Sequence, residues 1–255
     1  MSRIGLRTAA LGYLAALVLV PVGMVFYRAF EHGFAAAWEA VTTPQAQHAF
    51  YLTVLIAAIA VPANAVFGVI AAILLARRDF PGKRLLNALI DLPFAVSPIV
   101  VGLALILVWG RDGWFAMTGV IFSLPGMVLA TIFISLPFVV REVIPVLEEE
   151  GNEQELAAST LGGNAWQVFR RITLPTIRWG LAYGIVLSSA RALGEFGAVS
   201  AVSGRISGRT ETMTLYVEDR FQSFDLTGAF AASVVLALLA MAVLATMLLL
   251  QRRTA

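Results

Sequence analysis

The sequence predicts an all-α, polytopic membrane protein with six transmembrane helices and one long cytoplasmic loop. Three observations carry this. Only 13% of the 255 residues are charged while 59% are hydrophobic, against about 25% charged in a typical soluble domain; a soluble fold of this length would lack the charge to cover its surface. The charges also leave long gaps, at residues 8–27, 40–76, 92–110, 113–140 and 226–251, where about 20 apolar residues suffice to cross a bilayer's hydrocarbon core. Finally, Lys and Arg concentrate in alternate loops. The chain has no cysteine, which excludes a disulfide scaffold and a cysteine-held metal.

Span one is expected over residues 8–30. Arg3 and Arg7 followed by an apolar run look like a signal peptide, but no convincing small-residue cleavage site follows, so a retained helix is expected. Span two covers 49–76, span three 86–109 and span four 120–140. Span five, 179–203, is interrupted by Arg191 and Glu195, and span six covers 227–250. Pro62, Pro93, Pro98, Pro125 and Pro137 fall within these spans, where neighbouring groups can satisfy the freed backbone. There is no internal repeat or low-complexity linker, so residues 1–255 read as a single transmembrane domain.

Loop charge sets the orientation. Arg3, Arg7, Arg77, Arg78, Lys83, Arg84, Arg141, Arg170, Arg171, Arg178, Arg252 and Arg253 share one side; Arg28, Arg111, Arg205, Arg209 and Arg220 fall on the other. Both termini are therefore expected in the cytoplasm. The net charge of +2 is a product of topology and needs no nucleic-acid partner.

The cytoplasmic loop, 141–178, carries the most information. Residues 145–161 contain good helix formers, with Leu147, Leu156, Ala157 and Leu161 available for one face; Gly151 weakens that helix. Gly162 and Gly163 break it, Asn164 can cap a second helix over 165–172, and Pro175 is expected to help end that helix. Trp166, Val168 and Phe169 need a cover. Either a partner supplies it or the segment folds back on the protein's own membrane face.

Span five holds the intramembrane charges, which usually face a protein interior or a watery cavity. Arg191 and Glu195 stand four apart and can pair along one helix face, among Ser188, Ser200 and several glycines. One reading places this face on a translocation route with Arg191 meeting an anion. The other is a structural ion pair, and a self-neutralising pair explains two buried charges more cheaply.

These two segments carry a resemblance. Ala157-Ala158, Gly162 and Ile172-Thr173-Leu174-Pro175 resemble the cytoplasmic signature of membrane subunits of ABC-type importers. One departure stands: Leu156 occupies the triplet's first position, with Glu155 one residue earlier. Residues 190–198, Ala-Arg-Ala-Leu-Gly-Glu-Phe-Gly-Ala, are similar to the oxyanion branch of these permeases, and the continuation to Gly204 looks most like the sulfate/thiosulfate type, the second of its two related membrane subunits. Arg141-Glu142 and residues 169–175 fit the same group, which lies close to the molybdate/tungstate branch.

The resemblance implies that Glu155, Ala157, Ala158, Gly162, Trp166, Phe169, Leu174 and Pro175 form a coupling element docking on a cytoplasmic ATPase. It implies translocation by alternating access in a bacterial inner membrane. The implied partners are two ATPase subunits, a related permease subunit, and a periplasmic or lipid-anchored oxyanion-binding protein. No Gly-x4-Gly-Lys-Ser/Thr motif occurs here; ATP and Mg are accordingly expected on a separate chain, with no cofactor in this one.

Among remaining residues, His32 and His48 are expected as interfacial polar groups, and Asp91 as a helix cap or a lining of the inner mouth, with capping preferred. Glu218, Asp219 and Arg220 are expected as solvated outer-loop charge, and Trp38, Trp109, Trp114 and Trp179 as interface anchors. An intramembrane metalloprotease would need His-Glu-x-x-His or an equivalent set, which two isolated histidines do not supply. A carrier independent of ATP would be expected to spread polar residues over several spans.

Overall fold

Glycine and proline decide where the helices of this chain break. The computed structural model describes residues 3–116 and 119–252, which form helices and no strands. Arg253, counted above among the cytoplasmic charges, lies outside the described residues.

The helices are α1 (Arg3–Phe30), α2 (Phe34–Val41), α3 (Pro44–Arg77), α4 (Lys83–Ala95), α5 (Pro98–Trp109) and α6 (Leu124–Glu150). They continue with α7 (Glu153–Thr160), α8 (Ala165–Val168), a π-helical turn (Phe169–Thr173), α9 (Leu174–Leu193), α10 (Gly197–Val202), α11 (Met213–Gln222) and α12 (Leu226–Arg252). Within α1, α3, α6 and α12 lie four stretches long and apolar enough to cross a membrane unaided. Helix α3 starts where Thr43 accepts a bond from the Ala46 N–H at 3.2 Å, with Pro44 in its first turn.

Span three is not one straight helix. α4 and α5 meet at a bend of 116°, where Val96 and Ser97 are extended ahead of Pro98. A residue before proline is pushed out of the helical region, and each half is too short to cross alone. Span five breaks similarly. α9 ends at Leu193, and α10 begins at Gly197, so Glu195 stands in the break and not on a continuous helix.

The segment between spans four and five also differs from expectation. α6 runs on to Glu150, so residues 145–150 extend the membrane helix and the 145–161 helix is cut at Gly151, whose φ of 67° favours glycine. The chain then stays helical from Ala165 to Leu193. Pro175 does not end that run. It has no N–H for the Arg171 carbonyl, and the Leu174 N–H reaches back to Phe169, the wider spacing of a π turn.

At the centre α3, α6 and α9 pack at close range. A Cβ on Gly68 would stand 2.7 Å from the Val139 Cβ, and one on Gly184 2.8 Å from the Val139 Cα; small residues permit this in a membrane, where dispersion replaces hydrophobic drive. One apolar cluster joins Leu52, Ile56, Met127, Ile134, Val199 and Leu215. A second joins Val69, Leu75, Ile90, Val143, Leu147 and Ile177.

Candidate translocation and coupling site

The two broken spans meet at their breaks. A Cβ on Gly197, the first residue of α10, would lie 2.8 Å from the Pro98 Cβ at the start of α5, and one on Gly102 would lie 2.7 Å from the Ala198 carbonyl. Arg191, in the last turn of α9, places Nη1 2.7 Å from Glu195 Oε2. Glu195 Oε1 accepts from the Ala198 N–H at 2.8 Å, and its carbonyl accepts from the Thr214 hydroxyl at 2.9 Å. The glutamate side chain is 2% exposed, the arginine 29%. Glu195 is thus spent on structure, while part of the Arg191 guanidinium stays accessible.

Ser188 is fully buried and its Oγ has no hydrogen-bond partner among the described residues. Ser200 is half-buried and donates to the Gly197 carbonyl at 2.8 Å. Asn64, which sequence reasoning missed, is fully buried on α3; its Nδ2 donates to Ser135 Oγ at 2.8 Å, and Ser135 donates to the Thr131 carbonyl. Asn64, Ser135 and Ser188 each stand one helical turn from Gly68, Val139 and Gly184, the close-packed trio, and on the same side of it. They therefore form one polar layer across three helices. The available signal was the single amide inside span two.

Asp91 is not a cap. It lies within α4 and takes both Nε and Nη2 of Arg141, with Arg141 Nε to Oδ1 at 2.7 Å; Arg141 also reaches Asn87 at 3.0 Å. This fork ties α4 to α6.

In the segment between α6 and α9, Gly162 has a φ of 87° and turns the chain between α7 and α8. Asn164 and Gln167 then form a reciprocal capping box, both bonds 2.9 Å. Leu161 is 89% exposed at the tip, and Leu156 and Ala157 are also exposed. Beside the tip, Ala158, Gly162, Gly163, Val168, Arg171 and Ile172 line a cavity of about 400 Å³. Trp166 and Phe169 behave differently. Their rings lie 5.6 Å apart, and both line a groove of about 730 Å³ with Ile70, Ile73 and Leu74 of α3. Phe169 packs against the second apolar cluster, while Trp166 stays 65% exposed at the edge of the groove. Leu174 packs against the inner apolar cluster, and Pro175 is exposed.

Glu155 turns inward: Arg77 Nε donates to its Oε2 at 2.9 Å and the Thr173 hydroxyl to its Oε1 at 2.7 Å. At the opposite end, His48 contacts the Arg209 carbonyl and His32 the Thr227 hydroxyl, each at 3.3 Å. Glu218 pairs with Arg205 at 3.0 Å. Glu211 is buried there, and burial raises its pKa above the ordinary glutamate value, Asp219 adding to the rise while Ser207 and Arg220 oppose it. Among the described residues, no three His, Asp or Glu gather to hold a metal ion.

Residues 64–255 match the family described as "Binding-protein-dependent transport system inner membrane component". The chain belongs to this family. It is a permease component of the inner membrane and not an enzyme. It is 51% identical over 251 residues to the "Sulfate transport system permease protein CysW" of Synechocystis sp., covering 96% of this chain and 91% of that one. The Escherichia coli protein of the same name is 47% identical, with 94% and 84% covered. The E. coli "Sulfate transport system permease protein CysT" is 41% identical, with 88% and 84% covered. A bacterial ABC transporter involved in alginate import shares the fold at a TM-score of 0.81 and 15% identity, over 98% of this chain and 94% of that one.

Proposed function

We propose that this chain is one of two membrane subunits of an ATP-driven importer of sulfate and thiosulfate. The observation that carries the substrate is the similarity, over nearly the whole chain, to relatives named as sulfate permeases. The geometry is consistent with an anion. Arg191 stands partly exposed at the junction of two broken spans, where fixed positive charge would offset the cost of stripping water from a divalent ion. The route runs past Ser188, Arg191 and Ser200, with Glu195 holding Arg191 in place.

In the proposed arrangement six spans place both termini in the cytoplasm. They consist of the four single helices, the bent pair α4–α5, and α9 with α10. Two cytoplasmic ATPase subunits bind ATP and Mg and meet the tip formed by Ala157, Ala158, Leu161 and Gly162. A second permease subunit completes the pathway; E. coli proteins named CysW and CysT, both similar to this chain, support such a pairing. A binding protein delivers the anion to the outer loops. ATP binding draws the ATPases together, the tip transmits the movement, and the breaks at Ser97 and Gly194 let the spans reorient. Coupling requires that the ATPase states differ in their contacts with the tip.

The test is uptake of labelled sulfate by cells lacking this chain and by the same cells with it restored, with thiosulfate and molybdate as competitors. Uptake that depends on the chain and is blocked by thiosulfate is expected. Unchanged sulfate uptake with lost molybdate accumulation would move the substrate to molybdate.

A further inference from the structure

Helix α7 buries none of its residues, so apolar packing does not hold it to the membrane domain. It is also flanked by glycines at positive φ, Gly151 at 67° before it and Gly162 at 87° after it, residues whose backbone can rotate more freely than others. Its firm attachment is Glu155. Both carboxylate oxygens are engaged, by Arg77 at the end of α3 and by Thr173 at the entry to α9. Arg77 in turn donates Nη1 to the Leu147 carbonyl of α6 at 2.6 Å. The ion pair is largely sheltered, with side-chain exposures of 13% for Arg77 and 20% for Glu155, which strengthens charge-assisted bonds and limits screening by salt. One residue is about 100° of helix rotation, so a carboxylate at 155 faces the membrane domain while Leu156 beside it is exposed.

We propose that Glu155, clasped by Arg77 and Thr173, is a positioning residue that makes the Leu161–Gly162 tip move as one body with the inner ends of α3, α6 and α9. Without the clasp, motion at the tip is absorbed by rotation at the flanking glycines. This rests on the reading above that the tip meets an ATPase.

Because the chain has no native cysteine, spin labels at Asp79→Cys and Gln154→Cys, in the complete complex in nanodiscs with its partner subunits made cysteine-free, report the separation of the α3 end from α7. Sulfate transported per ATP hydrolysed is measured in proteoliposomes of the same variants. The expected result for Glu155→Ala is a broadened distance distribution and about a tenfold loss of sulfate per ATP, with hydrolysis continuing. The conservative Glu155→Gln keeps an acceptor for Arg77 or Thr173 but loses the charge, and is expected to fall between wild type and Glu155→Ala in both distance spread and sulfate per ATP, a graded rescue that a merely structural loss would not show. An unchanged distribution in Glu155→Ala overturns the clasp. A Leu161→Cys cross-link to the ATPase is scored separately. Its absence would overturn ATPase docking at the tip, while the distance data would still judge the clasp.

Discussion

Arg191 and Glu195 share an ion pair but not a job. Glu195 is almost fully enclosed and also holds the first turn of α10, whereas Arg191 keeps an accessible edge. Removing the glutamate strands a cation and opens a helix end; Glu195→Ala is expected to lower stability by about 2 kcal/mol, discounted for the exposure of Arg191, read as a fall in the melting temperature of the detergent-solubilised chain. Arg191→Ala leaves Glu195 Oε1 bonded to Ala198. It also strips the buried Glu195 Oε2 of its partner, so a loss of stability is expected with it; loss of most sulfate uptake in protein that still assembles supports the anion role, and a failure to assemble would favour a purely structural pair. Glu211 gives a pH prediction. Its pKa is raised by burial, so between the ordinary glutamate value and the raised one the folded state holds more protons than the unfolded state. Stability contributed by this group is complete at low pH and falls as pH rises. Glu211→Gln should therefore be more stable than wild type at neutral pH, with the gap closing as pH drops into the ordinary glutamate range, checked by thermal unfolding across pH.

Among the elements, the glycine at the turn between α7 and α8 is the most exacting position. At a φ of 87° Gly162 has free space for a Cβ, so backbone conformation and not crowding restricts it, and proline, held near −65°, cannot take its place. Gly162→Pro is expected to insert in the membrane at wild-type levels and to uncouple hydrolysis from uptake; normal sulfate per ATP would contradict this. Gly184 is limited by space, since its added Cβ would meet the Val139 backbone; Gly184→Ala is expected to cost about 1–3 kcal/mol, seen in thermal unfolding. Hydropathy and charge spacing made the helical class, the long segment between spans four and five and the Arg191–Glu195 pair legible in the sequence. The bends at Ser97 and Gly194 were not legible, because a proline or glycine in a span is compatible with a straight helix or a break until its neighbours are known. Pro175 shows the same ambiguity: a missing N–H can end a helix or widen it by one residue. The packing of Phe169, with Trp166 left exposed beside it, depends on the face of α3 opposite them, which local pattern does not contain.

At the scale of the molecule, polar function is confined to a few layers of an otherwise apolar bundle. The Asn64–Ser135–Ser188 layer lies between the junction at Arg191 and the proposed clasp at Glu155, beside the close packing of α3, α6 and α9 at Gly68 and Gly184. Helix α1 leans on α12 and leaves its apolar run uncovered, a face that lipid or a neighbouring subunit must cover. The most direct measurement of the whole is sulfate uptake into proteoliposomes containing the complete complex, with and without ATP and the binding protein, in wild type and in Leu161→Asp. Uptake that requires both and falls at least tenfold in Leu161→Asp, with the membrane subunits still assembled, is the predicted result. Sulfate uptake that proceeds without ATP, or that Leu161→Asp leaves intact, would contradict an ATP-driven permease coupled through this tip.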